Sequence, residues 1–372
     1  MKYYLIAGEA SGDLHGANLM KSILKEDPNA EFRFWGGDLM QEVGGTMVSH
    51  YKERAFMGFI EVLLNLFKIL NLIKHCKKDI IAYHPDALIC IDNSGFNLRI
   101  AKWAKPNGFT THYYISPQVW ASRAGRVKTI KAYVDHMYVI LPFVKEFYDT
   151  YDYKVNFVGH PLIDAIAQHT LITPDDFKNK HHLDDRPIIA ILPGSRKQEI
   201  KKMLEVMLSI VDDFPKYQFI IAGAPSQEPG FYTPFIKKEG VHLVMNQTYD
   251  LLSLSNAALV TSGTATLETA LFKVPEVVCY KSSAISYQIA KRVVKLDYIS
   301  LVNLIMDKPV VTELIQHDFN TNRLKEELSK ILDEYNRAVM FLNYYDLEKK
   351  LGGKGASDKT ASLIVNSLKE NI

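Results

Sequence analysis

One pattern restricts this chain more than any other: short, continuously apolar runs alternate with helix-length amphipathic stretches, first in one half and then again in the other. In the first half the runs are Tyr3–Ala7, Ala87–Ile91, Thr111–Ile115 and His136–Ile140, interleaved with helix patterns over Leu14–Lys25, Asn97–Lys105, Arg123–Tyr133 and Phe143–Tyr151. The second half repeats it, with strands Ile188–Leu192, Gln218–Ala222, His242–Val244, Ala257–Thr261 and Glu276–Tyr280 and helices Glu199–Phe214, Tyr249–Ser255 and Ala265–Phe272. Such alternation predicts βαβ units and a parallel sheet covered on both faces. At 372 residues the chain exceeds the roughly 250–300 that one core sustains. The expectation is therefore an α/β protein of two doubly wound, Rossmann-like domains facing across a cleft. The polar stretch Thr173–Pro187 reads as the linker. The expected division is residues 1–168, residues 169–345, and a helical tail over 346–372 packing back on the N-terminal domain.

Composition removes several function classes. A net charge of +2 offers no global basic field for nucleic acid. The three cysteines, Cys76, Cys90 and Cys279, are too few and too far apart for a disulfide framework or a CxxC metal knuckle. The run Tyr3–Ala7 is shorter than the roughly 7–15 residues of a signal-peptide core and is followed at once by Glu9 and Asp13, so it reads as a buried first strand. No segment reaches the roughly 18 apolar residues of a membrane span.

In doubly wound sheets ligands bind beyond the carboxyl ends of strands, so the loops there carry the functional reading. Gly8-Glu9-Ala10-Ser11-Gly12-Asp13 is a glycine-rich strand-to-helix turn that matches neither GxGxxG nor a Walker A loop; close packing alone also accounts for it. Pro193-Gly194-Ser195-Arg196 offers free N–H groups, a glycine for close approach and a guanidinium, a set suited to phosphate. Thr261-Ser262-Gly263-Thr264 is a second such turn, and Glu268 follows where a carboxylate can accept from two ribose hydroxyls. Together these predict a nucleoside-diphosphate site, although each turn alone also serves as a helix cap. Asp92 stands directly after the strand Ala87–Ile91, placed to act as a general base or, alternatively, as an N-cap. His15, His112 and His160 lie near strand ends, but no pair has metal-ligand spacing, so neither a metal nor a cofactor is expected.

Seven ordered segments then carry a resemblance: Gly8–Asp13, Ile91-Asp92 with Phe96-Asn97, His112–Trp120, Leu141-Pro142-Phe143, Gly159-His160-Pro161, Leu192–Arg196 and Ser262–Ala265. From about Tyr3 to beyond Asn303 the chain resembles the lipid-A-disaccharide synthases, inverting glycosyltransferases of the GT-B architecture. The resemblance implies transfer from UDP-2,3-diacylglucosamine to 2,3-diacylglucosamine 1-phosphate through a β(1→6) bond, with release of UDP. It also implies that the N-terminal domain faces acceptor and membrane while the second domain binds the UDP-sugar. Asp92 and Arg196 would be the catalytic residues; Ser11, Gly194, Ser195, Ser262, Gly263, Thr264, Glu268 and Asn303 would contact the donor. Gly95, Ser122 and Val302 replace the family's usual Asp, Trp and Pro. The basic run containing Arg123 and Arg126 is a candidate for the acceptor phosphate, or a solvated helix face.

Acylated substrates require contact with a bilayer, and Met57–Cys76 supplies a candidate surface: Phe59, Leu63, Phe67 and Leu70 on a wide apolar face, with Lys74, Lys77 and Lys78 at its end. A helix buried against the sheet is the alternative. The resemblance thus predicts a cytoplasmic enzyme, peripheral on the inner face of the inner membrane, without nucleic-acid partners and compatible with a homodimer. The rival readings are another GT-B enzyme acting on UDP-GlcNAc-type donors, such as an epimerase or a lipid-linked sugar transferase, and a non-catalytic nucleotide binder on the same scaffold.

Overall fold

A computed structural model describes residues 1–54, 66–122, 124–283, 287–288 and 296–370. The chain forms two compact units, one of residues 1–164 and 351–372, the other of residues 165–350.

The first unit is built on a seven-stranded sheet: β1 (Lys2–Ala7), β2 (Glu31–Gly36), β3 (Thr46–His50), β4 (Ala87–Ile91), β5 (Thr111–Tyr114), β6 (His136–Val139) and β7 (Asn156–Phe157). Its order is β3-β2-β1-β4-β5-β6-β7, and every pairing is parallel. The period-two alternation of β1 sends Tyr3, Leu5 and Ala7 to one face and Tyr4 and Ile6 to the other, and all five are fully buried. Tyr3, Leu5 and Ala7 join a core shared with α1 (Ala10–Glu26) and with Ala361, Ile364 and Val365 of the final helix, α16 (Ala356–Lys369). The start of that helix is held by Asp164, whose carboxylate accepts from the N–H groups of Gly355 and Ala356. Tyr4 and Ile6 pack with Ile73, Cys76 and Ile80 of α3 (Leu66–Tyr83) and Ile100 and Ala104 of α4 (Ser94–Ala104). Between α1 and α3 lies the short α2 (Asp38–Val43).

The second unit carries a six-stranded parallel sheet of β8 (Ile188–Leu192), β9 (Gln218–Gly223), β10 (Val241–Met245), β11 (Ser255–Thr261), β12 (Glu276–Tyr280) and β13 (Thr312–Ile315). Its order is β10-β9-β8-β11-β12-β13. After α5 (Val119–Ser122), α6 (Val127–Tyr133), α7 (Pro142–Asp149) and α8 (Pro161–Gln168), the second unit contributes α9 (Pro174–His181), α10 (Lys197–Met207), α11 (Thr248–Leu254), α12 (Thr264–Leu271), α13 (Leu301–Met306), α14 (Thr321–Leu332) and α15 (Glu334–Lys350).

Several expectations need correction. Thr173–Pro187 is not a linker: Thr173 caps α9 by accepting from the Asp176 N–H, and Phe177 is fully buried in the second core. One apolar anchor on an otherwise polar helix leaves too little periodicity to reveal it. The first helix begins at Ala10, not Leu14, so Ser11, Gly12 and Asp13 lie in its first turn. The helix expected from Arg123 begins at Val127, after a 3-10 turn over Ala124–Arg126. The one expected over Glu199–Phe214 ends at Met207 and continues as a 3-10 segment. β2 escaped notice because Arg33 interrupts its apolar run; there the guanidinium is answered by the Asp79 carboxylate at 2.6 and 2.8 Å.

Candidate active site

Each sheet has one place where strand order reverses direction, beside β1 and β4 in the first unit and beside β8 and β11 in the second. Such switch points open a crevice at the carboxyl ends of the strands. All four loops singled out by sequence fall there.

In the first unit Ala7 pairs with Ile91, so the loops after β1 and β4 leave the sheet side by side. They touch at Gly8, where an added Cβ would lie 1.9 Å from Asn93 Nδ2. Asp92 and Asn93 are both left-handed, with φ of 44° and 41°. This conformation costs an ordinary residue roughly 1–2 kcal/mol, and Asp and Asn tolerate it best. It is held from below. The Asp92 carbonyl accepts from the Tyr113 hydroxyl and from Asn97 Nδ2, which also reaches the Ile6 and Ile91 carbonyls, while the Asp92 N–H donates to Tyr114. Asn93, not Asp92, is the N-cap residue of α4. The Asp92 carboxyl therefore projects from a braced turn instead of capping the helix. Part of its side chain reaches solvent, yet the surrounding protein and the nearby Glu9 carboxylate push it up to about 6. A carboxyl ionising there is matched to proton abstraction near neutral pH.

Other polar groups nearby serve structure. Asp13 accepts from the N–H groups of Gly37, Leu39 and Met40, tying the glycine-rich turn to the start of α2. Burial pushes His15 down to about 4 and His160 down to about 3, so both are neutral. His112 is buried, its Nδ1 3.0 Å from the Tyr138 hydroxyl. Ser11 is exposed in the first turn of α1. Arg126 donates to Ser94 Oγ beside the Asp92 turn at 3.1 Å, whereas Arg123 lies outside the described residues.

In the second unit the turns after β8 and β11 and the N-termini of α10 and α12 line a cavity of about 330 Å³. Gly194, Ser195, Ser262, Gly263, Thr264 and Glu268 all open onto it. Gly194 has φ +96°, and a Cβ there would meet Glu199 Oε2 at 2.5 Å. The buried Thr261 hydroxyl, also in the wall, has no partner among the described residues. Burial pushes the Glu268 carboxyl up even though it accepts from the Tyr249 hydroxyl at 3.0 Å. Ser262 Oγ donates to the Ile299 carbonyl, so its turn offers backbone N–H groups rather than a free hydroxyl.

Besides Ser11, which belongs to the first unit, two expected members do not line this cavity. Arg196 opens onto a neighbouring pocket that shares Glu199 as a wall. Asn303 is buried, its amide oxygen accepting from Val310 and Val311 and its nitrogen donating to the Val311 carbonyl and Glu313. Glu313 in turn accepts from the N–H groups of Ile299 and Ser300, so Asn303 braces the loop that holds Ser262. Tyr249, Glu313, Asn97 and Tyr113 were missed as supporting residues; Asn97 and Tyr113 lay within segments that carry the resemblance, whereas Tyr249 and Glu313 gave no signal. No group of three or more His, Cys, Asp or Glu able to hold a metal occurs among the described residues.

A family model described as lipid-A-disaccharide synthetase matches residues 3–365. The chain belongs to the lipid-A-disaccharide synthase family. It is 37% identical over 380 residues to the lipid-A-disaccharide synthase of Geobacter sulfurreducens, covering 99% of this chain and 97% of that protein. It is 36% identical over 368 residues to that of Coxiella burnetii, covering 97% of each. The chain is thus a glycosyltransferase of lipid A biosynthesis. Among solved structures, UDP-GlcNAc 2-epimerase from Neisseria meningitidis aligns over 100% of both chains with a TM-score of 0.65 at 14% identity. The glycotransferase of kitacinnamycin aligns over 99% of both with a TM-score of 0.67 at 11% identity. Likeness at such identities concerns the fold, which is the GT-B arrangement of two parallel-sheet domains.

Proposed function

We propose that the enzyme transfers 2,3-diacylglucosamine from its UDP donor to the 6-hydroxyl of 2,3-diacylglucosamine 1-phosphate, with inversion. The Asp92 carboxylate takes the proton of the 6-hydroxyl as that oxygen bonds to the donor anomeric carbon. The bond from that carbon to the β-phosphate oxygen breaks on the opposite face, and UDP leaves. One displacement gives the β(1→6) bond. The observation that carries this reading is that each unit has a switch-point site of its own chemistry: a braced carboxyl on the first, and on the second a cavity lined by two helix N-termini. N–H groups at the Gly194–Ser195 and Ser262–Thr264 turns suit a diphosphate. Glu268 would accept from the ribose hydroxyls. Arg196, beside the cavity, would meet the charge growing on the leaving phosphate. Asn303 would act through the loop it braces, and Ser11 would contact the donor from the first turn of α1.

Among the described residues no helix is long and apolar enough to cross a membrane. For contact with the inner face of the inner membrane we propose the outer side of α3. There Phe67 is 83% and Leu70 49% exposed, while Ile73, Cys76 and Ile80 pack inward. The inward side is the buried helix that was the alternative, and the exposed Phe67 and Leu70 on the outer side support the membrane reading; Phe59 and Leu63 lie outside the described residues. Self-association into a homodimer is part of the same proposal.

Purified protein given both acyl-sugars should yield the disaccharide 1-phosphate and UDP, read by mass spectrometry, with a β-anomeric proton coupling. Asp92→Asn and Arg196→Ala should each lower turnover roughly 10²–10⁴-fold. Epimerised UDP-sugar without disaccharide, or near-wild-type turnover in either variant, would overturn the proposal.

A further inference from the structure

The pocket beside the nucleotide cavity has a different character. It encloses about 410 Å³ and is lined by Arg196, the N-cap residue of α10, by Lys197 and Lys202 from that helix, and by Lys281, Ser282 and Ser283 beyond β12. Glu199, the wall shared with the nucleotide cavity, is the only carboxylate among its lining residues. None of the four cations forms an ion pair among the described residues. Lys202 and Lys281 are half-buried and come from separate elements, so chain connectivity does not explain their approach. Arg196 and Lys197 are exposed, and Lys197 also lies over the Phe231 ring, so the two half-buried lysines matter most: bringing like charges to one pocket is unfavourable unless an anion answers them, and partial burial weakens the screening that would otherwise relieve the repulsion.

We infer that this pocket binds a phosphomonoester, the 1-phosphate of the acceptor sugar, with Lys202 and Lys281 as its principal contacts. The inference rests on the reaction proposed above, which involves two phosphorylated substrates. The diphosphate is provided for by the two N–H turns of the neighbouring cavity. The second pocket presents side-chain cations instead. A phosphomonoester carries about −1.5 to −2 charges at neutral pH, more than one phosphoryl of a diphosphate ester. With Arg196 left to the leaving phosphate, three lysines and one carboxylate suit that charge, and lysine ammonium groups meet phosphate as point charges without demanding one orientation. Arg126, which donates to Ser94 through one guanidinium nitrogen, is the competing candidate for that phosphate and is included in the test.

The test compares the full-length protein with the Lys202→Ala/Lys281→Ala double variant, using the phosphorylated acceptor and the same sugar lacking phosphate. The wild-type enzyme should prefer the phosphorylated acceptor, and the double variant should lose about 10- to 100-fold of that preference per removed contact. The loss should appear in the acceptor KM, with the donor KM and UDP affinity unchanged. Lys281→Arg should retain most of the preference. Undiminished preference in the double variant, transfer of the preference to Arg126→Ala, or a parallel fall in UDP affinity would each overturn the assignment while leaving the reaction standing. Calorimetry with glucose 1-phosphate, in the presence of saturating UDP, reads the pocket without turnover. Binding by wild type and not by the variant supports the site even if no disaccharide forms, and absence of binding by the wild-type protein refutes it.

Discussion

If Asp92 is the base, the acid limb of the pH profile is set by its surroundings. With the carboxyl at about 6, half the enzyme is competent at pH 6 and about one-tenth at pH 5. An Asp left at 3.8 would still be about nine-tenths ionised at pH 5. Measured as kcat/KM from pH 4.5 to 8, the profile should therefore rise with unit slope and bend near 6. Two variants separate the causes. Glu9→Gln removes a neighbouring negative charge, so the bend should move to lower pH. Asp92→Asn keeps the side-chain shape and the tolerance for φ of 44°, so it should abolish the limb and most of the activity without disturbing the turn. The stability sign is opposite to that of a paired carboxylate. Because the folded-state carboxyl ionises above its unfolded value of 3.8, Asp92 favours folding while protonated, and that contribution is lost as pH rises through about 6. Asp92→Asn should accordingly melt above wild type at pH 7.5 and match it near pH 3.5. A flat profile between pH 5 and 8, or an Asn variant less stable than wild type at pH 7.5, would refute the reasoning.

Three further outcomes can be checked directly. Gly8→Ala should displace Asn93, since its Cβ would lie 1.9 Å from that amide; turnover should fall at least tenfold while UDP affinity, measured by calorimetry, stays unchanged. Asp13→Ala leaves three N–H groups at the start of α2 without their acceptor, a loss on the order of 3 kcal/mol, which should lower the first unit's thermal transition by roughly 5–10 °C in calorimetry. Phe67→Ser/Leu70→Ser alters exposed side chains only, so melting should change little while partitioning onto anionic vesicles in a sedimentation assay falls roughly 10- to 100-fold; unchanged partitioning would exclude this face as the membrane contact.

How much of this was legible depended on how local each signal was. β4, β8 and β12 were bounded correctly because each is a continuous run of five residues, largely apolar and terminated by polar or turn residues. β3 was not, since its half-exposed residues alternate weakly. The turns proposed to hold phosphate were visible as Gly-Ser and Ser-Gly-Thr motifs after strands, but the opening of Arg196 onto the adjacent pocket was not. That depends on the direction in which the first turn of α10 leaves β8, with Glu199 standing between. The bracing partners of Asn303 were not legible, because Val310, Val311 and Glu313 come from the segment that folds back beside it.

By itself, the order of residues determined the class of fold, the twofold repetition of the sheet, and the chemical types available at each strand end, since hydrophobic period and turn composition act over a few neighbours. Only tertiary structure decided which strand ends stand together. Bringing β1 beside β4 sets Gly8 against Asn93 and lets Asn97 and Tyr113 grip the Asp92 backbone. The return of α16 to the first sheet and the convergence of Lys202 with Lys281 are likewise consequences of long-range packing, which no local pattern encodes.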